Sequence, residues 1–366
     1  MSRLFHVVFL SMCMPFLFAR ESCVRNLHIL ILAGGSGDRL WPLSSPDRPK
    51  QLLPFFNNKT LLDLTIERAQ LLAEASNIHI ITCEQQALAI KAVAHGRAQI
   101  IVEPSQRNTG PAILFALQKL YSVDPAADVL IVPSDSFIDN NQVWVVDLQL
   151  AAALAAEHQG LALIGVWPTR PATGYGYIAC ENFNGSKKAY TVSSFHEKPD
   201  LKTATDYLCR KNMLWNTGIV IGSLKAFIEH FQLLAPDLSA AMNEYIAGQR
   251  SYESLPAISF DYAVMEKTIN AHVVPASFGW SDVGNLRTFL ELSQQTESSQ
   301  GTLFQIKAQN NIAKTLSKPV FCIGVNDLCI IETEDALVVV HENNVEDVRQ
   351  AVSLFKKNAT PKEISF

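Results

Sequence analysis

Leu32-Ala-Gly-Gly-Ser-Gly-Asp-Arg39-Leu-Trp-Pro-Leu43, followed by Pro49-Lys50-Gln51, is the stretch that decides how this chain is read. It comes directly after an apolar run, Leu27 to Leu32, which reads as a buried strand ending at the glycines. Gly34, Gly35 and Gly37 let the backbone turn sharply and bring bare N–H groups, with that of Ser36, close to an anion. Arg39 and Lys50 add two cations to the same loop. Amides and cations together suit a triphosphate. The usual phosphate loops fit poorly. A Walker A loop needs Lys-Ser/Thr after its last glycine, but Gly37 precedes Asp38 and Arg39. The dinucleotide fingerprint needs a third glycine where Leu40 stands.

Working outward, strand-like and helix-like runs alternate, as in an α/β domain with a mainly parallel sheet. Strands are expected at 78–82, 99–102, 128–132 and 161–166, and helices at 61–75, 85–95, 111–121 and 142–157. Beyond them the sheet is expected to become mixed, with strands at 176–180, 192–197 and 218–222 and helices at 224–234 and 238–247. The texture changes after residue 293: a polar, linker-like 294–300 precedes strands at 320–325, 328–332 and 336–341 and a final helix at 345–356. The expected organisation is an apolar extension at 1–25, a catalytic domain at 26–293 and a small strand-and-helix domain at 294–366.

Composition narrows the function classes. A formal net charge of −5 argues against a general nucleic-acid binder. Seven cysteines form no CxxC pair, so scattered reduced thiols explain them better than a disulfide framework or a zinc site. Phe5 to Phe18 resembles a short signal-peptide core, yet no clear cleavage site follows, and the run is short for a membrane span. No HExxH or GxSxG motif occurs and the histidines are dispersed, so no histidine is assigned a role.

Other segments could carry chemistry. Asp135, in Pro133-Ser134-Asp135, sits where a strand should end, at the ligand-binding edge of an open sheet. It reads as a Mg²⁺ ligand or, taken alone, equally as a helix cap. Asp282, in Gly279-Trp280-Ser281-Asp282-Val283-Gly284, is a second candidate carboxylate. Lys198, beside Glu197, could hold a sugar 1-phosphate while Glu197 accepts from sugar hydroxyls; a solvated charge pair is the plainer alternative. Asn216 offers an amide that both donates and accepts. Gly174 and Tyr175 offer close backbone approach beside an aromatic face, although aromatics are more often core. Arg107, Asn108 and Thr109 lead into an apolar helix and would set side chains and N-terminal amides near a nucleotide.

The segments of the loop, together with EPSQRNTGPA, PSD, TGYGYI, FHEKPD, WNTG, FDYAVMEK and GWSDVG, resemble in order the motifs of sugar-phosphate nucleotidyltransferases, mannose-1-phosphate guanylyltransferases in particular. The resemblance runs from about Leu27 to Phe289. It implies a Rossmann-like, GT-A-like α/β fold and transfer of GMP from GTP to mannose 1-phosphate, giving GDP-mannose and pyrophosphate. Lys50 would then stabilise the α-phosphate, Arg39 hold the β- and γ-phosphates, Lys198 the sugar phosphate, and Asp135 and Asp282 the Mg²⁺. It also implies a cytoplasmic enzyme, inclined to a homodimer, with no nucleic-acid partner and no stable membrane insertion. Three positions depart from the pattern: Asp38 where many members have threonine, Ser45 for a common arginine, and Ser136 for the usual histidine. Transfer to another sugar phosphate or from another nucleotide, and a non-catalytic nucleotide-sugar-binding paralogue, are the alternatives.

Overall fold

The computed structural model describes residues 26–35, 38–45, 47–183, 185, 188–293, 303–316 and 318–358. The apolar extension at 1–25 and the linker at 294–300 lie outside the described residues.

A nine-stranded sheet organises the molecule. In chain order its strands are β1 Leu27–Leu32, β2 Ile78–Cys83, β3 Gln99–Glu103, β4 Asp128–Pro133, β5 Leu161–Val166, β6 Tyr177–Cys180, β7 Tyr190–His196, β8 Met213–Ser223 and β9 Ala271–Pro275. They lie side by side as β3-β2-β1-β4-β8-β5-β9-β7-β6, with β8 also reaching β6. β3, β2, β1 and β4 pair parallel throughout. Antiparallel β8 then enters between β4 and β5, which makes the other half mixed. β1 and β2 are buried almost throughout, which is why they read as unbroken apolar runs.

Helices α1 Leu61–Ala69, α2 Glu84–Ala94, α3 Thr109–Tyr121 and α4 Asn141–His158 flank the parallel half. One core gathers α3 against β1, β4 and β8, and a second gathers α1, α2 and α4 against the opposite face. α1 starts on a capping box in which Thr60 and Asp63 satisfy each other's backbone N–H, worth about 1 kcal/mol. It stops at Ala69, short of the expected Ala75. Leu72 and Ala73 still pack on the core, so the apolar spacing outlasts the helix while the chain turns back toward β2.

Two further departures concern the mixed half. β8 is eleven residues long, so the expected strand at 218–222 is only its second part, beyond an irregularity between Asn216 and Val220. β9 was not expected. Its short apolar run is interrupted by His272, yet it pairs parallel with β5 and joins β7 to the sheet.

Toward the C-terminus, β10 Leu303–Ile306 pairs parallel with β12 Val320–Ile323, and β11 Ile312–Lys314 with β13 Leu328–Glu332; β14 Leu337–His341 pairs antiparallel with β13. Cys329 and Ile331 of β13, with Val348 and Val352 of the last helix, close a core with Leu40, Phe55, Val283 and Phe289. This part therefore packs directly behind the loop that carries Arg39 and the loop that carries Asp282. The described cysteines are free thiols, and no described helix is long and apolar enough to cross a membrane.

Candidate active site

Two adjoining cavities open beyond the C-terminal ends of β1 and β4, where an open parallel sheet offers a crevice. The first, of about 520 Å³, is walled by apolar side chains such as Leu32, Ile81, Ala112, Ile113 and Val220. Gly34 and Gly35 form part of its rim, and Glu103, Gln106, Asn108 and Thr109 supply polar atoms. The second, of about 430 Å³, gathers Arg39, Lys50, Asp135, Gly174, Tyr175, Glu197, Asn216, Asp261 and Asp282. Gly35, Asp135, Asn216 and Asp261 line both cavities.

The glycine loop is held from below. The Gln51 amide donates to the carbonyls of Ala33 and Gly35 (3.3 and 3.4 Å) and to Gln86 Oε1 (3.0 Å). Gln86 in turn donates to Gly35 O at 3.3 Å. A short 3₁₀ turn at Lys50–Leu52 sets Lys50 and Gln51 side by side, Lys50 facing the charged cavity and Gln51 the loop. Ser36 and Gly37 lie outside the described residues.

The buried Lys50 ammonium lies 2.9 Å from Asp135 Oδ2 and also contacts the Asp282 carbonyl. It therefore ties two segments 147 residues apart in sequence to the loop after β1 (282 − 135 = 147). Asp282 Oδ1 accepts from the Tyr175 hydroxyl at 2.5 Å and from the Gly284 N–H at 3.1 Å. Burial, followed by the Asp282 charge, pushes the Tyr175 hydroxyl pKa upward, so it stays a donor. Val283, between Asp282 and Gly284, adopts φ +47°, a left-handed conformation that costs a β-branched residue energy. Its side chain is fully buried in the core shared with the C-terminal strands, which offsets that cost.

Glu197 is seated by the absence of a side chain at residue 176. A Cβ there would stand 2.7 Å from Glu197 Oε2 and 2.9 Å from Phe195 Cζ. Lys198 has φ +46°; its ammonium meets Glu197 Oε1 at 2.5 Å, half-exposed at the rim and outside both cavity linings. Asn216 donates to Asp261 Oδ1 at 3.1 Å and accepts from Gly218 N–H at 3.0 Å. Burial, then the nearby Glu197 charge, raises the Asp261 pKa to about 6.

The 103–111 loop divides. Asn108, at φ +72°, caps α3 by accepting from Thr109 N–H at 2.8 Å, and Thr109 Oγ1 accepts from Phe260 N–H at 2.9 Å. Arg107 turns away instead. Its guanidinium donates to the Leu255 carbonyl at 2.9 and 2.7 Å, and it lines neither cavity. Ser136 is buried in the second cavity's wall, and Ser45 Oγ accepts from Arg48 N–H at 3.1 Å.

Asp135 and Asp282 offer hard oxygen donors of the kind Mg²⁺ takes, since that ion is usually held by one or two carboxylates with waters and phosphates. No cluster of three or more metal-ligating side chains occurs among the described residues.

Residues 28–299 match a family model described as nucleotidyl transferase. The chain belongs to the nucleotidyl transferase family. Residues 301–354 match a model described as a mannoseP isomerase/GMP-like β-helix domain. This nucleotidyl transferase is 34% identical over 344 residues to the xanthan biosynthesis protein XanB of Xanthomonas campestris pv. campestris strain B100, covering 89% of the chain and 73% of that relative. It is 33% identical over 353 residues to a mannose-1-phosphate guanylyltransferase of Salmonella muenchen, covering 90% and 73%. A crystal structure from Thermus thermophilus, described as a mannose-1-phosphate geranyltransferase, superposes with TM-score 0.77 at 31% identity over 90% of this chain and 99% of that one.

Three lining groups of this nucleotidyl transferase's cavities, Glu103, Gln51 and Asp261, escaped the sequence reading, as did Gln86 and Tyr252, which hold Gln51 and Glu103 from behind. Glu103 and Asp261 lay inside quoted motifs without an assigned role. Tyr252 carried no local signal.

Proposed function

We propose that the chain transfers GMP from GTP to α-D-mannose 1-phosphate, giving GDP-mannose and pyrophosphate. The observation that carries this reading is the meeting of Lys50, Asp135 and Asp282 where a mostly apolar cavity opens into a charged one. A nucleoside suits the first cavity and phosphates with a sugar the second. A phosphate oxygen of the sugar phosphate attacks the α-phosphorus, the α–β bridging P–O bond breaks, and pyrophosphate leaves with its electrons. Such a transfer needs no protein nucleophile, only in-line positioning and charge stabilisation.

In this reading Lys50 stabilises charge at the α-phosphate and Arg39 holds the β- and γ-phosphates. The amides of residues 34–37 cradle the triphosphate, with Asn108 and Thr109 at the nucleoside. Gly174, Tyr175, Glu197 and Asn216 face the sugar, and Lys198 swings from the rim onto its phosphate. Arg107 acts at one remove, by fixing its loop. Asp135 and Asp282 would hold Mg²⁺, which when bound neutralises phosphate charge. Cytoplasmic location follows from the GTP supply. A homodimer also belongs to the reading: Phe304, Ile306, Phe321 and Ile323 form an exposed apolar face, and light scattering would test it.

The deciding experiment measures pyrophosphate release with Mg²⁺ over a matrix of four nucleoside triphosphates against mannose and glucose 1-phosphates. Signal concentrated at GTP with mannose 1-phosphate supports the reading. Preference for another pair, or silence from a folded protein, overturns it.

A further inference from the structure

A third cavity, of about 10 Å³, adjoins the charged one and has room for roughly one water-sized sphere. Pro133 and Ser136, on either side of Asp135 in the chain, line both. Its other walls are mostly apolar, among them Val132 of β4 and Ile219 of β8, with Trp144 of α4 and Arg68 of α1. Arg68 is only 4% exposed. Its Nε donates to Asn141 Oδ1 at 3.1 Å, its one side-chain hydrogen bond among the described residues. The two terminal nitrogens of the guanidinium, which carry the remaining N–H groups, have no acceptor there. No described carboxylate pairs with it either. The Trp144 ring lies 5.6 Å from Arg68 Cζ, and the Trp144 indole N–H is itself buried without a partner. Burial pushes the Arg68 pKa down to about 10, so the group still carries its charge at neutral pH.

A buried cation in this setting is costly twice over. It has lost its hydration, and each N–H without an acceptor adds its own desolvation penalty. The face of Trp144 offsets only part of that. A water molecule accepts one or two N–H groups but carries no charge. A monatomic anion does both: it accepts several N–H bonds at once and cancels the charge. Phosphate, sulfate and carboxylates are too large for a cavity of one small sphere, which leaves a halide, and chloride is the common one.

We propose that Arg68 holds a chloride ion in this cavity, with the Trp144 indole N–H and the Ser136 hydroxyl as the neighbouring donors. Hydrogen bonds to an ionised group are the stronger kind, and here both the guanidinium and the anion are ionised. The ion ties α1 and α4 to the segment after β4, and so braces the stretch that carries Asp135. It takes no part in the transfer reaction. The proposal therefore stands or falls independently of the guanylyl-transfer reading.

The test is thermal melting of the full chain in sodium chloride, sodium bromide and sodium gluconate at one ionic strength, gluconate being too bulky for the cavity. Chloride and bromide should each raise the Tm by about 2 °C over gluconate, and the shift should saturate as for one site. Arg68→Met keeps much of the side chain's bulk but removes the cation, and should erase the difference between the anions. Crystals soaked in bromide should show an anomalous scattering peak against Arg68. Equal wild-type Tm values in the three salts, an undiminished difference in folded Arg68→Met, or a bromide-soaked crystal with only a water beside Arg68 overturns the proposal. The wild-type melts and the bromide crystal decide the matter even if Arg68→Met does not fold.

Discussion

The two cavities solve opposite electrostatic problems. In the charged one, Lys50 lies against Asp135, and at its rim Lys198 reaches Glu197, so opposite charges already meet within the protein. In the nucleoside cavity, Glu103 has a phenol and a backbone N–H as its donors among the described residues. The difference follows from what each must receive. Phosphates and a divalent ion bring large charges, and ready-made ion pairs can reorganise around them with little new desolvation. A neutral base brings only donors and acceptors, so a single under-satisfied acceptor in an apolar wall can discriminate without a counter-charge.

The comparison breaks most visibly at Lys50. Lys50→Ala should cut kcat/KM for pyrophosphate release by about a thousandfold, the scale of losing one preorganised cation at developing charge. It also removes the group linking Asp135 to Asp282. A loss below about tenfold would mean that the charged cavity is not where transfer occurs.

Next comes pH. Glu103 is raised to about 7 from an ordinary 4.5 by burial and faces the Tyr252 hydroxyl and the Arg107 backbone N–H. A carboxyl with a raised folded pKa binds its proton more tightly folded than unfolded. The free protein therefore gains stability from this group as pH falls from about 7 toward 4.5, and Asp261, at about 6, adds in the same direction. A base donor paired with this carboxyl would need it ionised, and GDP affinity would then fall about tenfold for each pH unit well below 7. Calorimetry at pH 7.5 and 5.5 reads this; equal affinities would remove the contrast between the cavities.

Two smaller effects sharpen the picture. Lys198→Ala should raise the KM for sugar phosphate about tenfold with little change in kcat or in the KM for GTP, since the half-exposed Lys198 ammonium is free to leave Glu197 for the phosphate. A matching rise for GTP would move Lys198 to the nucleotide. Arg107→Ala should leave both KM values within about threefold while lowering unfolding stability by about 1–2 kcal/mol, because the Leu255 carbonyl loses its donors. A large, selective KM effect would return Arg107 to the nucleotide.

Features that depend on local backbone and nearby charge could be read in the sequence. The end of β1 at the glycines, Lys50 in the loop that follows and Asp135 just beyond β4 all follow from short-range pattern. Glu103 and Tyr252 meet across 149 positions, and Asn216 and Asp261 across 45, so nothing in their neighbours announces the contact. Arg107 misled for the converse reason. Its motif promised a side chain near the nucleotide, and a backbone carbonyl 148 positions away took the guanidinium. β9 escaped because its place depends on the β5 edge being free to accept it rather than on its own short apolar run.

The plug formed by Val283 ties ligand chemistry to a distant part of the chain. Leu40 follows Arg39 and Val283 follows Asp282, and both sit in one core with Cys329 and Ile331 of β13. Docking of the C-terminal strands and occupancy of the charged cavity thus share two short segments. Thermodynamic reciprocity then applies: whatever factor bound substrate contributes to the docking of those strands, their docking contributes to substrate affinity. A protein that grips the C-terminal strands would thereby tune nucleotide affinity without approaching the cavities.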